Sequence, residues 1–445
     1  MQNSTEGCRR FEANVSTTAK VALLAFFTLF ATSRARAQIE GLAEWADYVA
    51  TASSPHWVGQ RVPWPTHTPR PDAWPVAASE ENPWRLHASS AVSDGAVERA
   101  TRALDHAAVL ARVSGWGAPA ADGGDGGSSA FDVYFGEPGG GLCETYVDRR
   151  VLASVLDSAT SFAVVDPDLD EDALRVCLAR AYAEAVLDAL DPAEAPALRR
   201  AIATFLAWQM TGLWAEDTRG ATGPGSARWW AMVSAQLDGG DGRAVHELVH
   251  FARQRTWDGV ELRGAPDLWM ALEKRLALAD RTLEGFAEDL SSLGWVASTS
   301  SPSRTPAVRA LGALPRPDLV ADLTWDTLPK HVTYSEDGIA ALESRYALVD
   351  TRDAPVGSLL RVWLSGEFGV KWQLVLERFD AQGRSLGRIS TPARNEPRAY
   401  FPLELSEPTS YAVLIVTNLS SRLPDADIAD ENVRSFKLIV DKREP

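Results

Sequence analysis

Histidine, cysteine and methionine are scarce in this chain, with seven, three and four among 445 residues. Three cysteines cannot build a disulfide scaffold at this length, which excludes the small, bridge-dependent secreted folds. No stripe of lysine and arginine is present, and a formal net charge of −16 works against any phosphate-binding surface. Nucleic acid is therefore not an expected partner. The glycine-rich stretches are not followed by Lys-Ser/Thr or by a strand–helix unit, so no nucleotide-binding loop is present. The apolar run VALLAFFTLFA at 21–31 is 11 residues long. A stable membrane span needs about 20. What the chain does have is 45% hydrophobic and 23% charged residues, an ordinary globular balance, with sixteen tryptophans. Its length suggests two or three domains.

The N-terminus carries Arg9, Arg10 and Lys20, then the short apolar run, then Ala35-Arg36-Ala37. A basic region, a short apolar core and a small-residue site make residues 1–37 a secretory signal peptide. The expected location is the periplasm or the extracellular space, with no stable membrane anchor after cleavage. Cleavage removes five basic and two acidic residues, a net +3, and leaves −19. It also removes Cys8. The remaining Cys143 and Cys177 read as a disulfide in an exported chain, or else as two buried thiols.

Residues 38–92 are rich in Trp and Pro and read as an extended arm, because so many prolines exclude a long helix or a central strand. His56, His67 and His87 fall here at spacings unsuited to a metal and read as surface histidines. From residue 93 the pattern turns helical, interrupted by strands at 130–135 and 160–166. Helices are expected from about Asp170 to Pro192 and from Pro196 to Gly212. Further helices are expected at 226–237, 243–255 and 267–280, with a last one reaching about Leu290. A Ser/Pro-rich linker covers 297–317. Beyond it, short alternating segments separated by turn residues read as an antiparallel β-sandwich over 318–445.

One motif carries chemistry. His246-Glu247-Leu248-Val249-His250 is H-E-x-x-H, which on a helix aims two imidazoles at one zinc ion and lets the glutamate take a proton from zinc-bound water. A third protein ligand is needed, and Glu273 is the best placed, ahead of Glu284 and Glu288. Against the site, the apolar face of the helix runs through Val245, Leu248, Val249 and Ala252, leaving His246 and His250 on another side. The alternating acids Asp166, Asp168, Asp170 and Asp172 lack a calcium loop's glycine, and Cys177 stands where its bidentate glutamate belongs. They read as an acidic helix N-terminus. Asp425, Asp427, Asp430 and Glu431 read as a solvated turn.

Several segments occur in a particular order: a loop Asp122-GGDGG, the strand Asp132-Val133-Tyr134, and the buried strand FAVVD at 162–166. A long helix follows, then Ala201-Ile-Ala-Thr-Phe205, and finally V-T-N-L at 416–419 in the sandwich. This order resembles a family of exported bacterial zinc metalloproteases of the myxobacterial type, over most of residues 95–445. The resemblance implies a metalloprotease-like α+β domain over 93–296, followed by the all-β sandwich. It also implies that the metal-binding histidines should stand on the helix directly after the buried strand. Those positions here are Ala179 and Ala183, the catalytic glutamate's is Arg180, and a further ligand glutamate's is Arg200. Arginine is permanently cationic and repels a metal. The resemblance thus implies a degenerate member, a pseudo-protease that binds a protein, peptide or envelope component without cofactor. The alternative is an active zinc endopeptidase with His246, His250 and Glu273 as ligands and Glu247 as base.

Overall fold

The computed structural model describes residues 68–89, 92–139, 141–151, 158–192, 194, 196–214, 223–252, 267–298, 311, 314, 316–340, 342–367, 370–391, 398–405, 409–419 and 434–445. The signal peptide, His56, His67 and the acidic group at 425–431 lie outside them.

The first sheet holds five strands, β1 (Trp74–Ala78), β2 (Trp84–Ala88), β3 (Phe131–Phe135), β4 (Cys143–Arg150) and β5 (Ala159–Val165), in the order β1-β2-β3-β5-β4. Strands β2, β3 and β5 are parallel, and β1 and β4 close the two edges antiparallel. This corrects the expectation for the arm: it supplies an edge strand and an interior one. Pro75 sits on the edge strand at a register shift, and Pro83 precedes β2, so neither removes a ladder bond inside the sheet. The parallel pair β2–β3 is bridged by helix α1 (Asp94–Val113), capped by the Ser93 side chain, which accepts from the Ala96 N–H.

Helix α2 (Glu171–Leu190) begins at an Asp170 cap that accepts from the Ala173 N–H, the helix-start reading of those acids. Its exposed polar residues lie in the first two turns, and Arg180 and Glu184 form a partly exposed stripe beyond them. Leu174, Leu178, Ala179, Tyr182, Ala183 and Val186 are all buried, because α1, β5 and α3 (Pro196–Thr211) pack around it. A wide apolar surface is what a helix packed against several elements requires. The Cys143–Cys177 disulfide ties α2 to edge strand β4, with the Cα atoms 5.9 Å apart. Helices α4 (Ala227–Leu237), α5 (Arg243–Ala252), α6 (Asp267–Ala277) and α7 (Leu283–Ser298) continue the layer.

The C-terminal region is a β-sandwich. One sheet is ordered β11-β10-β13-β8-β6, from β6 (Leu319–Thr324), β8 (Ser344–Asp350), β10 (Trp372–Phe379), β11 (Ser385–Ser390) and β13 (Tyr411–Asn418). The other is β12-β9-β14-β7, from β7 (Lys330–Ile339), β9 (Leu359–Gly366), β12 (Arg398–Glu404) and β14 (Arg434–Arg443). The pairing is antiparallel except for β6, which runs parallel to β8. Alternate residues such as Val362, Leu364, Leu374, Leu414 and Leu438 meet between the sheets. The far face of the first of these sheets is covered by α7, where Trp295 packs with Tyr346, Val375, Phe379 and Ile415. The stretch read as a linker is not wholly solvated, since Leu311 and Leu314 are buried in the helical core, as are Leu342 and Leu419 of the sandwich. No helix among the described residues is long and apolar enough to cross a membrane.

Candidate functional site

Three places could carry chemistry. The first is the helix after the buried strand, α2. Ala179 and Ala183 are 2% and 0% exposed, with no donor atom to offer a metal. Arg180 donates to the Cys143 carbonyl at 3.1 Å and lies near Glu184, while Arg200 is exposed at the start of α3. These residues do not fit a zinc ion, because the positions are occupied by methyl groups and two cations.

The second is the H-E-x-x-H helix, α5. Val245, Leu248, Val249 and Ala252 are buried as its apolar face predicts. His246 is half-buried, edge-on to Trp116 at 4.9 Å between ring centroids, and 4.2 Å from the His250 ring. Burial lowers the His246 pKa, against a bond to the Gly115 backbone and the charge of Glu247, and its Nε2 is buried without a partner among the described residues. Glu247 is exposed, 4.0 Å from Arg275, and His250 is exposed. Glu273 faces elsewhere: burial raises its pKa, Glu284 adds to this, and Lys371 of the sandwich opposes it. Lys371 itself pairs with Glu284. Among the described residues no three His, Cys, Asp or Glu side chains converge as a metal would require. His246, His250 and Glu273 therefore do not make the three-donor set that the zinc reading needs. A small cleft of about 180 Å³ lies nearby, lined by Trp116, Gln209, Met210 and Asp241 among others.

The third place was not expected from the sequence. On the face of the first sheet turned away from the helices, Arg70 reaches three carboxylates at once. It bonds Asp132, Asp148 at 2.8 Å and Asp122 at 2.9 Å, and it lies over the Phe162 ring. His87 Nε2 meets the other oxygen of Asp132 at 2.8 Å and stacks on Tyr134. Asp132 and His87 are 0% and 2% exposed, which overturns the reading of His87 as a surface histidine. Strand alternation is the cause. Leu86 and Ala88 point into the helical core, so His87 between them must point to the opposite face, where Asp132 and Tyr134 also project. Burying one guanidinium among three carboxylates is tolerable because Arg70 pairs with each of them.

The electrostatics follow from that. Burial alone would lower the Arg70 pKa, but bonding and charge from Asp148, with Tyr134 and Asp132, carry it above the ordinary value. Asp122 is pushed up to about 6 by burial, against the Gly124 N–H and Arg70, with Asp132 adding to the rise. Burial and the Asp132 charge also raise Tyr134. The loop that delivers Asp122 needs its glycines: Gly126 has φ +73°, and a Cβ there would stand 2.1 Å from Asp132 Oδ2. The Asp-Gly loop and the D-V-Y strand therefore have a physical role, which is to seat Arg70. A charged residue inside the otherwise apolar strand FDVYF was the available signal. Chemically the cluster pins residues 68–73 across β3, β5 and β4.

No family model matches the chain, and no curated protein does. Among solved structures, the pre-peptidase C-terminal domain of collagenase from Bacillus anthracis is 12% identical, covering 29% of this chain and 100% of that one with a TM-score of 0.19. The Yersinia pseudotuberculosis-derived mitogen is 13% identical, covering 26% and 86%, with a TM-score of 0.18. The CBM22-1 xylan-binding domain from Paenibacillus barcinonensis is 10% identical, covering 26% and 81%, with a TM-score of 0.16. Likenesses this slight carry no functional argument.

Proposed function

We propose that the chain is an exported, non-catalytic binding protein of metalloprotease ancestry, a pseudo-protease whose partner is an envelope or extracellular component. One observation carries the non-catalytic half. The helix that would bear the metal ligands holds Ala179 and Ala183 in the core, 2% and 0% exposed, and presents Arg180 and Glu184 on its partly exposed stripe. Rebuilding donors at those two alanines would mean placing polar side chains where nothing bonds them. Edge strand β4 is bridged to the same helix by the disulfide, which fixes the strand against it.

The competing reading is a zinc endopeptidase on α5, and the unpartnered Nε2 of His246 is the observation in its favour. Its weakness is the third ligand, since among the described residues Glu273 does not join the two histidines in a three-donor group. Zinc content separates the two. The chain from residue 38 onward, exposed to excess zinc and desalted, is assayed by elemental mass spectrometry beside a His246→Ala variant, with a peptidase screen on both. Absence of bound zinc and of cleavage is expected. About one zinc per chain, lost in the variant, would overturn the non-catalytic reading.

A further inference from the structure

The outer sheet of the sandwich presents a feature that neither the pseudo-protease reading nor the zinc reading uses. Its inner face is buried against the neighbouring sheet through Val362, Leu364, Leu438 and Val440. Residues of opposite parity therefore face outward, and the strand registers place four of them in one row. Tyr400 on β12 pairs with Trp363 on β9, Trp363 with Ile439 on β14, and Ile439 with His331 on β7. The row crosses three strand spacings, about 14 Å. Trp363 and Tyr400 form its aromatic end, with ring centroids 4.9 Å apart and planes 32° apart. Tyr400 is 49% exposed, unusual for a tyrosine with a packing role only.

Polar side chains bracket this strip on both sides. On one side Arg361 lies over the Trp363 ring at 5.6 Å and pairs with Asp441, its cross-strand neighbour. On the other, Ser365, Lys437 and Thr333 stand in register on adjacent strands. Arg361 and Asp441 on one side and Ser365, Lys437 and Thr333 on the other thus flank a narrow strip that is aromatic at one end and closes at His331. A protein-binding patch would show a wider apolar centre with charge pushed to a distant rim. A polyanion is disfavoured by the net charge of −16 and by the Arg361–Asp441 pair, which neutralises itself. Sugar rings have the matching chemistry, with apolar C–H faces that stack on aromatic rings and equatorial hydroxyls that both donate and accept.

We infer that the outer face of the β7/β9/β12/β14 sheet binds a neutral glycan strand, its pyranose faces stacked on Trp363 and Tyr400 and its hydroxyls bonded by Arg361 and Asp441. This deepens the binding half of the proposed function by naming the envelope or extracellular component as a polysaccharide. It stands independently of the zinc result: a chain with neither zinc nor glycan binding would keep the non-catalytic assignment and lose this one.

The test is retardation of the chain from residue 38 onward in native gels containing hydroxyethylcellulose, glucomannan or laminarin, with polygalacturonate as the charged control. Retardation by at least one neutral glycan is expected. Trp363→Ala and Tyr400→Ala should each weaken it roughly tenfold or more, as loss of a central aromatic contact does. Because Trp363 is half-buried, both variants are checked by thermal melting, and exposed Tyr400 provides the variant that folds regardless. No retardation by any of the three neutral glycans, retardation by polygalacturonate alone, or undiminished binding in a folded Tyr400→Ala protein would overturn the inference.

Discussion

Replacing Arg70 by methionine keeps most of the aliphatic stem and deletes the guanidinium that three carboxylates share. Asp122, Asp132 and Asp148, each 6% exposed or less, would then lose the cation they share. Removing one partner of a buried ion pair typically costs about 3–5 kcal/mol. The Arg70 side chain is 13% exposed, so the lower end, about 3 kcal/mol, is expected near neutral pH. The pH dependence has a definite sign. Asp122 sits at about 6 in the folded protein against an ordinary 3.8. It therefore binds its proton more tightly folded than unfolded, and its ionisation costs stability above about pH 6. That cost disappears as the pH falls from the folded value toward the unfolded one. The Arg70 charge lowers the Asp122 value, so without it Asp122 rises further and the variant recovers more on acidification than the parent does. Urea unfolding followed by tryptophan fluorescence, at about pH 7.5 and about pH 5.5, should show a deficit that shrinks at the lower pH. A variant within about 1 kcal/mol of the parent near neutrality, or a deficit equal at both values, would refute the argument.

Three other outcomes are expected. Replacing Cys143 and Cys177 by serine opens a bridge spanning 34 residues. In the chain-entropy view that costs about 3–4 kcal/mol, read as a lowered urea midpoint under non-reducing conditions. Gly294 lies where α7 crosses the sandwich, and a Cβ there would be 3.0 Å from the Tyr346 hydroxyl and 3.1 Å from Met232 Sδ. Gly294→Val should destabilise by about 1–3 kcal/mol through overpacking, and a calorimetric midpoint equal to the parent's would contradict that close approach. His246 should titrate below the ordinary histidine value because burial disfavours its charged form. NMR of the imidazole resonances checks it, and a midpoint at or above the ordinary histidine value would contradict the packing against Trp116.

Most of the secondary structure was legible locally. The Asp170 cap and the first-turn proline Pro196 mark the starts of α2 and α3 where the sequence places them. The two-residue alternation of LLRVWLSG marks β9, and the continuous apolar run of YAVLIVTN marks β13, buried on both faces. Such signals come from a residue and its near neighbours, so the chain states them without the fold. Strands β2 and β4 escaped this reading. WRLHA sits among prolines that argue against a central strand, and CETYVDRR is too polar for a buried one until its place at the sheet edge is known. The H-E-x-x-H spacing likewise put His246 and His250 on one helix, as the fold does, but could not place Glu273 relative to them.

What only the tertiary structure decided is where charge is buried and which faces are covered. Arg70 meets Asp132 and Asp148 across 62 and 78 residues of sequence, and no periodicity encodes that meeting. Trp363 and Tyr400 become one surface only once β9 and β12 pair in register. The sequence by itself determined the period and polarity of each segment, because those depend on interactions a few residues long. The partners of Arg70, the burial of Ala179 and Ala183 on α2 and the exposed row on the sandwich depend on contacts closed across the whole chain, and these arise only when the layers stack.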